Sequence, residues 1–593
     1  MLNKEIIRLQ VISRRTFIII ITKLGLLSLL ATRMFYLQFI KKDEYKTLSD
    51  KNRITTVATI PTRGEIYDTE GIALVLNKNK FRLLFNKSKN QDYQQELIQL
   101  CDILKVSQEQ QLLITKKCLS ADLNTAITIM DQLTWHQISI LEENTPYLSS
   151  FFIDTVQSRL YYQDSSVSHL LGYVGQVNQE EIKKSAIKNK DYIVGKAGLE
   201  KYYEETLCGS IGHKQLEVNA HGRYIREILD VPSIPGNNLH LNIDIELQQK
   251  AWSYLNMNGC SAIVIDSSNG NILLCLSAPG FESNNFNKLS SKYWNDLIND
   301  PFKPLINKVV QSSYPPGSAF KLITILAALE AGYCATKIIN CVAGVSATGN
   351  NSFRCWNKHG HGQLDMFGAL KHSCNSYMYE ISRLIGPERI ILMAKKFGFG
   401  IKTDIDLPNE VRGLVPSKKW KKSRFKAEWT LGDTFNIAIG QGYLLTTPIQ
   451  MARFCASIAS DGKLYTPHIA KQESSFSQID IDPSHINILK QAMYQAVNTS
   501  GGTAYLSENI RSSFKIAGKT GTAQVQAKLH KNDDLSREGI SWKRKNHASF
   551  IGFGPYNNPR FAIAVHVDHG GGGGKVAVPI ASKIMNDLLS KYN

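Results

Sequence analysis

The chain has 593 residues, is 43% hydrophobic and 20% charged, and carries a net charge of +18. These proportions exclude a disordered or fibrous chain, and the length is too great for one hydrophobic core, so about three domains are expected. The positive charge suits a polyanionic surface; no nucleic-acid module is legible, and anionic phospholipid headgroups are the better partner.

That preference rests on residues 17–40, which are mostly apolar and long enough to span a bilayer. Lys23 and Arg33 interrupt the run and can snorkel toward headgroups. Leu29 stands where a cleavage site ending at Ala31 would want a small residue, so an uncleaved signal anchor is expected. Lys4, Arg8, Arg14 and Arg15 precede the span and Lys41, Lys42 and Lys46 follow it, so flanking charge barely orients it.

Residues 52–77 alternate strand-like runs with turns at Thr62-Arg63-Gly64 and Glu70-Gly71. Residues 89–150 are polar and helix-patterned and read as an inserted head subdomain, with plain surface helices as the default and a partner contact as the alternative. Strand-like text returns at 159–162 and 169–174, residues 195–200 open a helix, and residues 217–223 read as strand then turn. The Arg, Glu and Gly residues of these stretches are expected to hold salt bridges and turns rather than to do chemistry.

Residues 232–238, rich in Pro, Gly and Asn, mark a boundary between a region at 41–235 and a domain at 239–593. Residues 239–243 read as a strand, Asp244 caps a helix running to 256, and 259–276 form two β-runs joined at Ser268-Asn269-Gly270, a tight-hairpin signal. Strands return near the C-terminus at 514–525, 548–554 and 560–567, and with the intervening helices they make the fold α+β. The five-glycine run at 570–574 is expected to be a flexible loop before a last helix at 577–591; no Gly-Lys-Ser/Thr text surrounds it that would make a phosphate loop.

The stretch Tyr314-Pro315-Pro316-Gly317-Ser318-Ala319-Phe320-Lys321 stands apart. Two prolines and a glycine cannot belong to a helix interior. Residues 318–332 are apolar and stop at Gly332, which predicts a buried helix of about four turns entered abruptly. Ser318 then sits at a helix N-terminus, where free N–H groups favour developing negative charge, and Lys321 lies on the same face one turn on. A serine hydroxyl needs a base, and a buried lysine whose pKa is lowered can serve as one. Ser-x-x-Lys also occurs at Ser185/Lys188, Ser423/Lys426, Ser460/Lys463 and Ser512/Lys515, so this spacing alone carries little.

The chain has ten cysteines, and their uneven spacing provides no disulfide framework. Cys341, Cys355, His361 and Cys374 are ligand types that tetrahedral zinc takes, although the spacing is not C-x-x-C. Buried free thiols or a Cys341–Cys355 disulfide are the alternatives, and His359 could replace His361.

Two further elements follow Ser318 and Lys321 in order: Ser373-Cys374-Asn375, then Lys519-Thr520-Gly521-Thr522. This set resembles the penicillin-binding transpeptidases and serine β-lactamases. The texts YPPGSAFK, SCN, GQGY and KTGTAQV, with Arg63, Gly64, Asp68 and Gly71 upstream, resemble class B penicillin-binding proteins across nearly the whole chain, most of all the elongation-type group called penicillin-binding protein 2.

The resemblance implies a cytoplasmic tail at 1–16, a transmembrane anchor at 17–40, an elongated β-rich pedestal or dimerisation domain at 41–235 with the head at 89–150, and a transpeptidase domain at 239–593. That last domain is expected as an antiparallel sheet with helices on both faces. The bulk would lie in the periplasm, anchored in the inner membrane. The implied reaction is acyl transfer on peptidoglycan stem peptides ending in D-Ala-D-Ala. Ser318 would attack, Lys321 take its proton, Ser373 shuttle it to the leaving D-alanine, and Asn375 orient Lys321 and the substrate amide. Lys519, Thr520, Gly521 and Thr522 would hold the terminal carboxylate and pair with the substrate backbone, with the N–H groups of Ser318 and Thr522 as oxyanion hole. β-Lactams would acylate Ser318.

Some members of the group carry a structural zinc at positions matching Cys341, Cys355, His361 and Cys374, with a varying ligand set. Gly440-Gln441-Gly442 matches family text and is read as packing and turn only. The chain lacks glycosyltransferase text, so a RodA-type polytopic glycosyltransferase and other elongation-complex membrane proteins are the implied partners. The alternatives are a division-type transpeptidase, a β-lactamase or D,D-carboxypeptidase, and a non-catalytic β-lactam-binding scaffold. Against a class A β-lactamase, Glu428-Trp429-Thr430-Leu431 continues with Gly432, where that class has an asparagine.

Overall fold

The computed structural model describes residues 2–42, 54–87, 93–121, 126–162, 165–178, 192–218, 224–255, 259–348, 351–505, 514–525 and 542–592. The chain divides into two compact units, Met1–Thr62 with Gly209–Gly236, and Arg63–Cys208 with Asn237–Asn593. The dividing points fall at 62/63, 208/209 and 236/237, so the segment before the catalytic half contributes to both units.

The first unit holds a helix at Leu2–Phe35 that continues as a π-helical turn at Tyr36–Ile40. Residues Arg14–Ile40 are long and apolar enough to cross a membrane, and none of the most apolar stretch within them is buried in the protein. Thr22 and Thr32 return their hydroxyls to the carbonyls of Ile18 and Ser28, so those polar groups are satisfied within the helix. The unit also holds a three-stranded antiparallel sheet with Gly212–Val218 between Ile54–Thr59 and Tyr224–Val231. Of the stretch 217–223 read from sequence as strand and turn, residues 219–223 lie outside the described residues.

In the second unit, the long strands Ala73–Phe85 and Phe151–Tyr161 pair antiparallel along their length. The head folds onto their far end as helices Tyr93–Leu104, Gln108–Leu119 and Trp135–Glu143 with the strand Ile127–Met130. Its core is small and separate, built on Phe85, Leu97, Leu100, Cys118 and Phe151. Near the other end, Glu200 is fully buried and takes Arg63 Nε and Arg159 Nε on its two oxygens, each at 2.7 Å. Arg63 also reaches Glu204 at 2.7 Å. These residues hold segments together, as their sequence context suggests, and removing one partner would strand a buried charge at a cost of ~3–5 kcal/mol.

The catalytic half is organised by a five-stranded antiparallel sheet: β1 (Cys260–Asp266), β2 (Ile272–Ala278), β3 (Ala517–Ala523), β4 (His547–Gly554) and β5 (Phe561–Val567), in the order β2-β1-β5-β4-β3. Helices cover both faces. Side chains alternate along β1, with Ile263 and Ile265 in the larger core and Ala262 and Val264 in the smaller. Because both faces are buried, these strands read as continuous apolar runs rather than as alternating ones. The larger core holds α1 (Lys321–Glu330), α2 (Asn375–Lys396) and α4 (Pro448–Ala459), with α3 (Leu431–Ala438) and α5 (Pro483–Asn498) packed in the same half. The smaller core lies under α6 (Gly573–Tyr592). Gly386 breaks α2 with φ 77°, just before Pro387.

The β1–β2 hairpin turns through Ser268-Asn269-Gly270 as expected, over a connection of five residues (267–271) in which Asp266 O accepts from the N–H groups of Asn269 and Gly270 and only Gly270 takes positive φ. Two local expectations change. The strand expected at 239–243 forms only at Leu239–His240, where it runs parallel to Ile66–Tyr67. The glycine run is not wholly a loop, since Gly573 and Gly574 form the first turn of α6. A side chain at Gly573 would lie 2.4 Å from Gly521 O and 2.6 Å from Ser549 O, so glycine there lets the last helix seat against β3 and β4.

Candidate active site

Pro315 and Pro316 keep the chain out of helix until Gly317, which takes φ +56°. Gly317–Phe320 then forms a 3-10 turn that leads into α1, so Ser318, expected at the α-helical N-terminus, lies in a tight turn three residues before the α-helix begins. Gly317 N–H donates to Gly440 O at 2.9 Å. A Cβ on Gly317 would sit 2.6 Å from Thr522 O and 3.0 Å from Thr522 N, a clash that only glycine avoids. The turn carrying Ser318 is thereby pressed against the strand carrying Lys519–Thr522.

Lys321 is fully buried. Its Nζ donates to Ser373 O at 2.7 Å, Ser373 Oγ at 3.2 Å and Asn375 Oδ1 at 2.6 Å. Burial lowers its pKa to about 8, partly offset by the thiols of Cys374 and Cys355. The loop that presents these oxygens is strained: Ser373 has φ +53°, a region that side-chain-bearing residues enter at a cost of ~1–3 kcal/mol. Trp356 Nε1 donates to Ser373 O at 3.1 Å and helps to hold it.

The cysteine cluster lies directly behind this loop. Cys374 caps α2 by accepting from Tyr377 N–H at 3.4 Å, and Cys355 Sγ accepts from Asn375 N–H at 3.4 Å. His361 Nδ1 lies 3.6 Å from Cys341 Sγ and 3.4 Å from Cys355 Sγ, and the ligand atoms of all four residues fall within 4.8 Å of one another. All ten cysteines are free thiols, so Cys341 and Cys355 form no disulfide. The cluster brings in His361 rather than His359. Three thiols and an imidazole, buried and converging, fit a tetrahedral zinc ion. The other ring nitrogen of His361 is buried without a hydrogen-bond partner.

Opposite Ser318 runs β3, the edge strand of the sheet. Lys519 is fully buried and, among the described residues, reaches only Thr520 O at 3.3 Å and Thr520 Oγ1 at 3.4 Å. Burial, and then the nearby charge of Lys321, hold its amine well below the usual lysine range. Gly521 and Thr522 pair with Ser549 and Ala548 of β4, leaving the outer edge of β3 facing the cleft.

Two supporting groups were not legible as such. Gln441, read as turn text, donates from Nε2 to Thr522 O at 3.1 Å and orients that peptide group. Tyr314 stacks on His566 with ring centres 3.8 Å apart, and His566 Nε2 lies 3.3 Å from Asp568 Oδ1. Although burial alone would raise Asp568, its pKa stays below the usual value because His566, His547 and Tyr314 face it. This group ties the lead-in to Ser318 onto β4 and β5. Its only sequence signal is three histidines, His547, His566 and His569, among apolar strands.

Residues 260–586 match the family described as the penicillin-binding protein transpeptidase domain, and residues 58–241 match the penicillin-binding protein dimerisation domain. The chain is 33% identical to peptidoglycan D,D-transpeptidase MrdA of Salmonella typhimurium, over 95% of this chain and 93% of that one. It is 31% identical to the protein of the same name from Escherichia coli, over 97% and 93%. Among solved structures, the complex between penicillin-binding protein (PBP2) and MreC from Helicobacter pylori aligns with a TM-score of 0.82 at 30% identity, covering 91% of this chain and 99% of that one. A structure of a peptidoglycan synthase complex coordinating polymerization and crosslinking aligns with a TM-score of 0.70 at 26% identity, covering 96% and 97%. With a buried Ser-x-x-Lys turn, an Ser-Cys-Asn loop and a Lys-Thr-Gly-Thr edge strand converging on one cleft, the chain belongs to the penicillin-binding transpeptidases, as a class B member of the penicillin-binding protein 2 group.

Proposed function

We propose that this protein is a peptidoglycan D,D-transpeptidase of the elongation type that works through an acyl-enzyme on Ser318. The observation that carries this is Lys321: a fully buried amine, lowered to about 8, one turn from Ser318 and held by Ser373 and Asn375. The donor stem peptide lies along the free edge of β3 as an added strand. Its terminal carboxylate meets Lys519 and the hydroxyls of Thr520 and Thr522, and its penultimate carbonyl points at the N–H groups of Ser318 and Thr522. Neutral Lys321 takes the Ser318 proton as the serine oxygen bonds to the carbonyl carbon. The proton passes through the Ser373 hydroxyl to the departing nitrogen as the bond to D-alanine breaks. An acceptor amine then attacks the ester carbonyl, and its proton returns to the serine oxygen as that bond breaks. A β-lactam enters the same first step and stays bound.

Cys341, Cys355, His361 and Cys374 would hold a zinc ion, which supplies a rigid structural anchor when bound. Residues 17–40 would cross the inner membrane, with 1–16 in the cytoplasm and the catalytic half in the periplasm. The complexes formed by the similar proteins support a polytopic glycosyltransferase of the RodA type and elongation-complex membrane proteins as partners.

The test is intact mass after exposure to a fluorescent penicillin, alongside Ser318→Ala. A stable adduct of one drug mass, absent in the variant, is expected. An adduct that forms and decays within seconds would make the protein a β-lactamase, and none from folded protein would leave a non-catalytic scaffold. Depletion of the protein in cells should produce round cells; filaments would mark a division-type enzyme.

A further inference from the structure

A strongly cationic helix, Lys418–Phe425, lies in the loop region before α3 and reads KKWKKSRF. Ser417 caps it by accepting from Trp420 N–H at 3.1 Å. Three of its cations are paired: Lys421 with Asp433 at 2.5 Å, Lys418 with Glu388 at 2.6 Å and Lys422 with Glu428 at 2.7 Å. The other three cations of this stretch, Lys419, Arg424 and Lys426, are exposed and form no ion pair among the described residues.

The same helix carries an aromatic shelf. Phe425 stacks on Tyr443 with ring centres 5.0 Å apart and 28° between planes, and Trp420 meets both rings at 5.7 and 5.3 Å. Two of these rings remain open to solvent, Phe425 at 49% and Tyr443 at 37%. A contiguous exposed apolar patch rimmed by charged residues marks an interaction surface.

The shelf is joined to the active site by the chain itself. Tyr443 belongs to the segment that begins at Gly440, whose carbonyl holds the Gly317 N–H, and includes Gln441, which holds Thr522 O. Three residues further on, Thr446 pairs with Tyr314 through both backbone hydrogen bonds. The segment thus lines the nucleophile turn at one end and the cationic shelf in its middle.

Resting on the transpeptidase reading, we infer that this shelf is the docking site for the acceptor strand, an anionic peptide carrying free carboxylates and one nucleophilic amine. The donor carboxylate already has its place at Lys519, so the acceptor must arrive by another wall of the cleft. Lys419, Arg424 and Lys426 receive its carboxylates, and Phe425 and Tyr443 receive the flat faces of its amide groups. The ester at Ser318 is then partitioned between amine and water by how well this surface holds the amine nearby. The occupant follows from charge complementarity and from continuity with the site.

The experiment uses the full chain in detergent and a thioester donor peptide ending in a D-alanyl unit. It compares a stem-peptide acceptor bearing free carboxylates with the same peptide amidated at those carboxylates. The measured quantity is the ratio of aminolysis to hydrolysis. Each exposed contact is worth roughly two- to threefold, so the triple change Lys419→Glu, Arg424→Glu, Lys426→Glu should lower the ratio about tenfold for the charged acceptor. It should leave the amidated acceptor and the rate of penicillin acylation as they were. In the unaltered protein, raising the salt concentration should reduce the preference for the charged acceptor.

If the charge reversal also removes acylation, the glutamine triple variant, which removes the same three contacts, replaces it, with a drop of about tenfold expected by the same scale. An unchanged ratio, or equal use of the two acceptors by the unaltered protein, overturns the inference and leaves the shelf to another partner. Absence of any penicillin adduct in the unaltered protein overturns the transpeptidase reading instead, so the two failures are distinct.

Discussion

The two buried lysines of the cleft stand in opposite conditions. Lys321 is surrounded by partners that the protein supplies, three oxygens at 2.6 to 3.2 Å from the Ser373–Asn375 loop. Among the described residues, Lys519 has only its neighbour Thr520, at 3.3 and 3.4 Å. Both are fully buried, and leaving a buried polar group poorly bonded is expensive. On the proposed reading, the wall complete without substrate is the chemical machinery, and the incomplete wall takes its missing partner, a carboxylate, from the substrate.

The largest effect should come from the complete wall. Lys321→Met should slow penicillin acylation by about 10³-fold, within the range for loss of a general base, whether or not the drug carries its carboxylate. Lys519→Ala should cost on the order of 10²-fold in kcat/KM for a donor with a free terminal carboxylate, as expected for loss of a charged hydrogen bond. The same change should have little effect on an amidated donor. A carboxylate-dependent loss at Lys321, or a carboxylate-independent one at Lys519, would erase the distinction between the walls.

The pH dependence sharpens the same contrast. Burial lowers Lys321, so its neutral, basic form appears as pH rises, and acylation should climb roughly tenfold per unit below about 8 and level off above it. Burial also lowers Lys519, so a bound carboxylate should draw a proton onto its amine. Donor binding should then take up a proton, detectable by calorimetry in buffers of different ionisation enthalpy, and should weaken as pH rises. Binding without proton uptake would mean that Lys519 is already charged in the empty cleft.

Smaller effects should come from the groups that hold the walls in place. Cys355→Ser removes the sulfur that accepts the Asn375 N–H and one ligand of the proposed zinc. It should lower bound zinc, measured by elemental analysis, and slow acylation by roughly 10-fold, the lower end for loss of a supporting partner. Gln441→Ala removes one hydrogen bond to Thr522 O and should slow acylation about fivefold, equivalent to ~1 kcal/mol. An acylation rate unchanged by Gln441→Ala would place orientation of the Thr522 peptide elsewhere.

Much of the site was legible before any coordinates because its residues sit in short segments whose local geometry is dictated by composition. Pro315, Pro316 and Gly317 exclude helix, the apolar run after them imposes one, and Lys321 must follow Ser318 by one turn. The edge-strand segment at Lys519–Thr522 was readable for the same reason, since small residues between apolar ones make a strand that another backbone can approach. Sequence alone also marked the apolar span at residues 17–40 and the α+β character of the catalytic half.

Other features depend on contacts between residues far apart in the chain, and no local pattern encodes them. The selection of His361 over His359, the turn of Ser373 into positive φ, and the hold of Gln441 on Thr522 all arise where separate segments converge. So does the seating of Gly573 on β3, which converts part of a glycine run into helix. Local propensity determines which segments can form. Only close packing in three dimensions decided that one buried lysine meets three oxygens of the Ser373–Asn375 loop while the other, among the described residues, meets only Thr520.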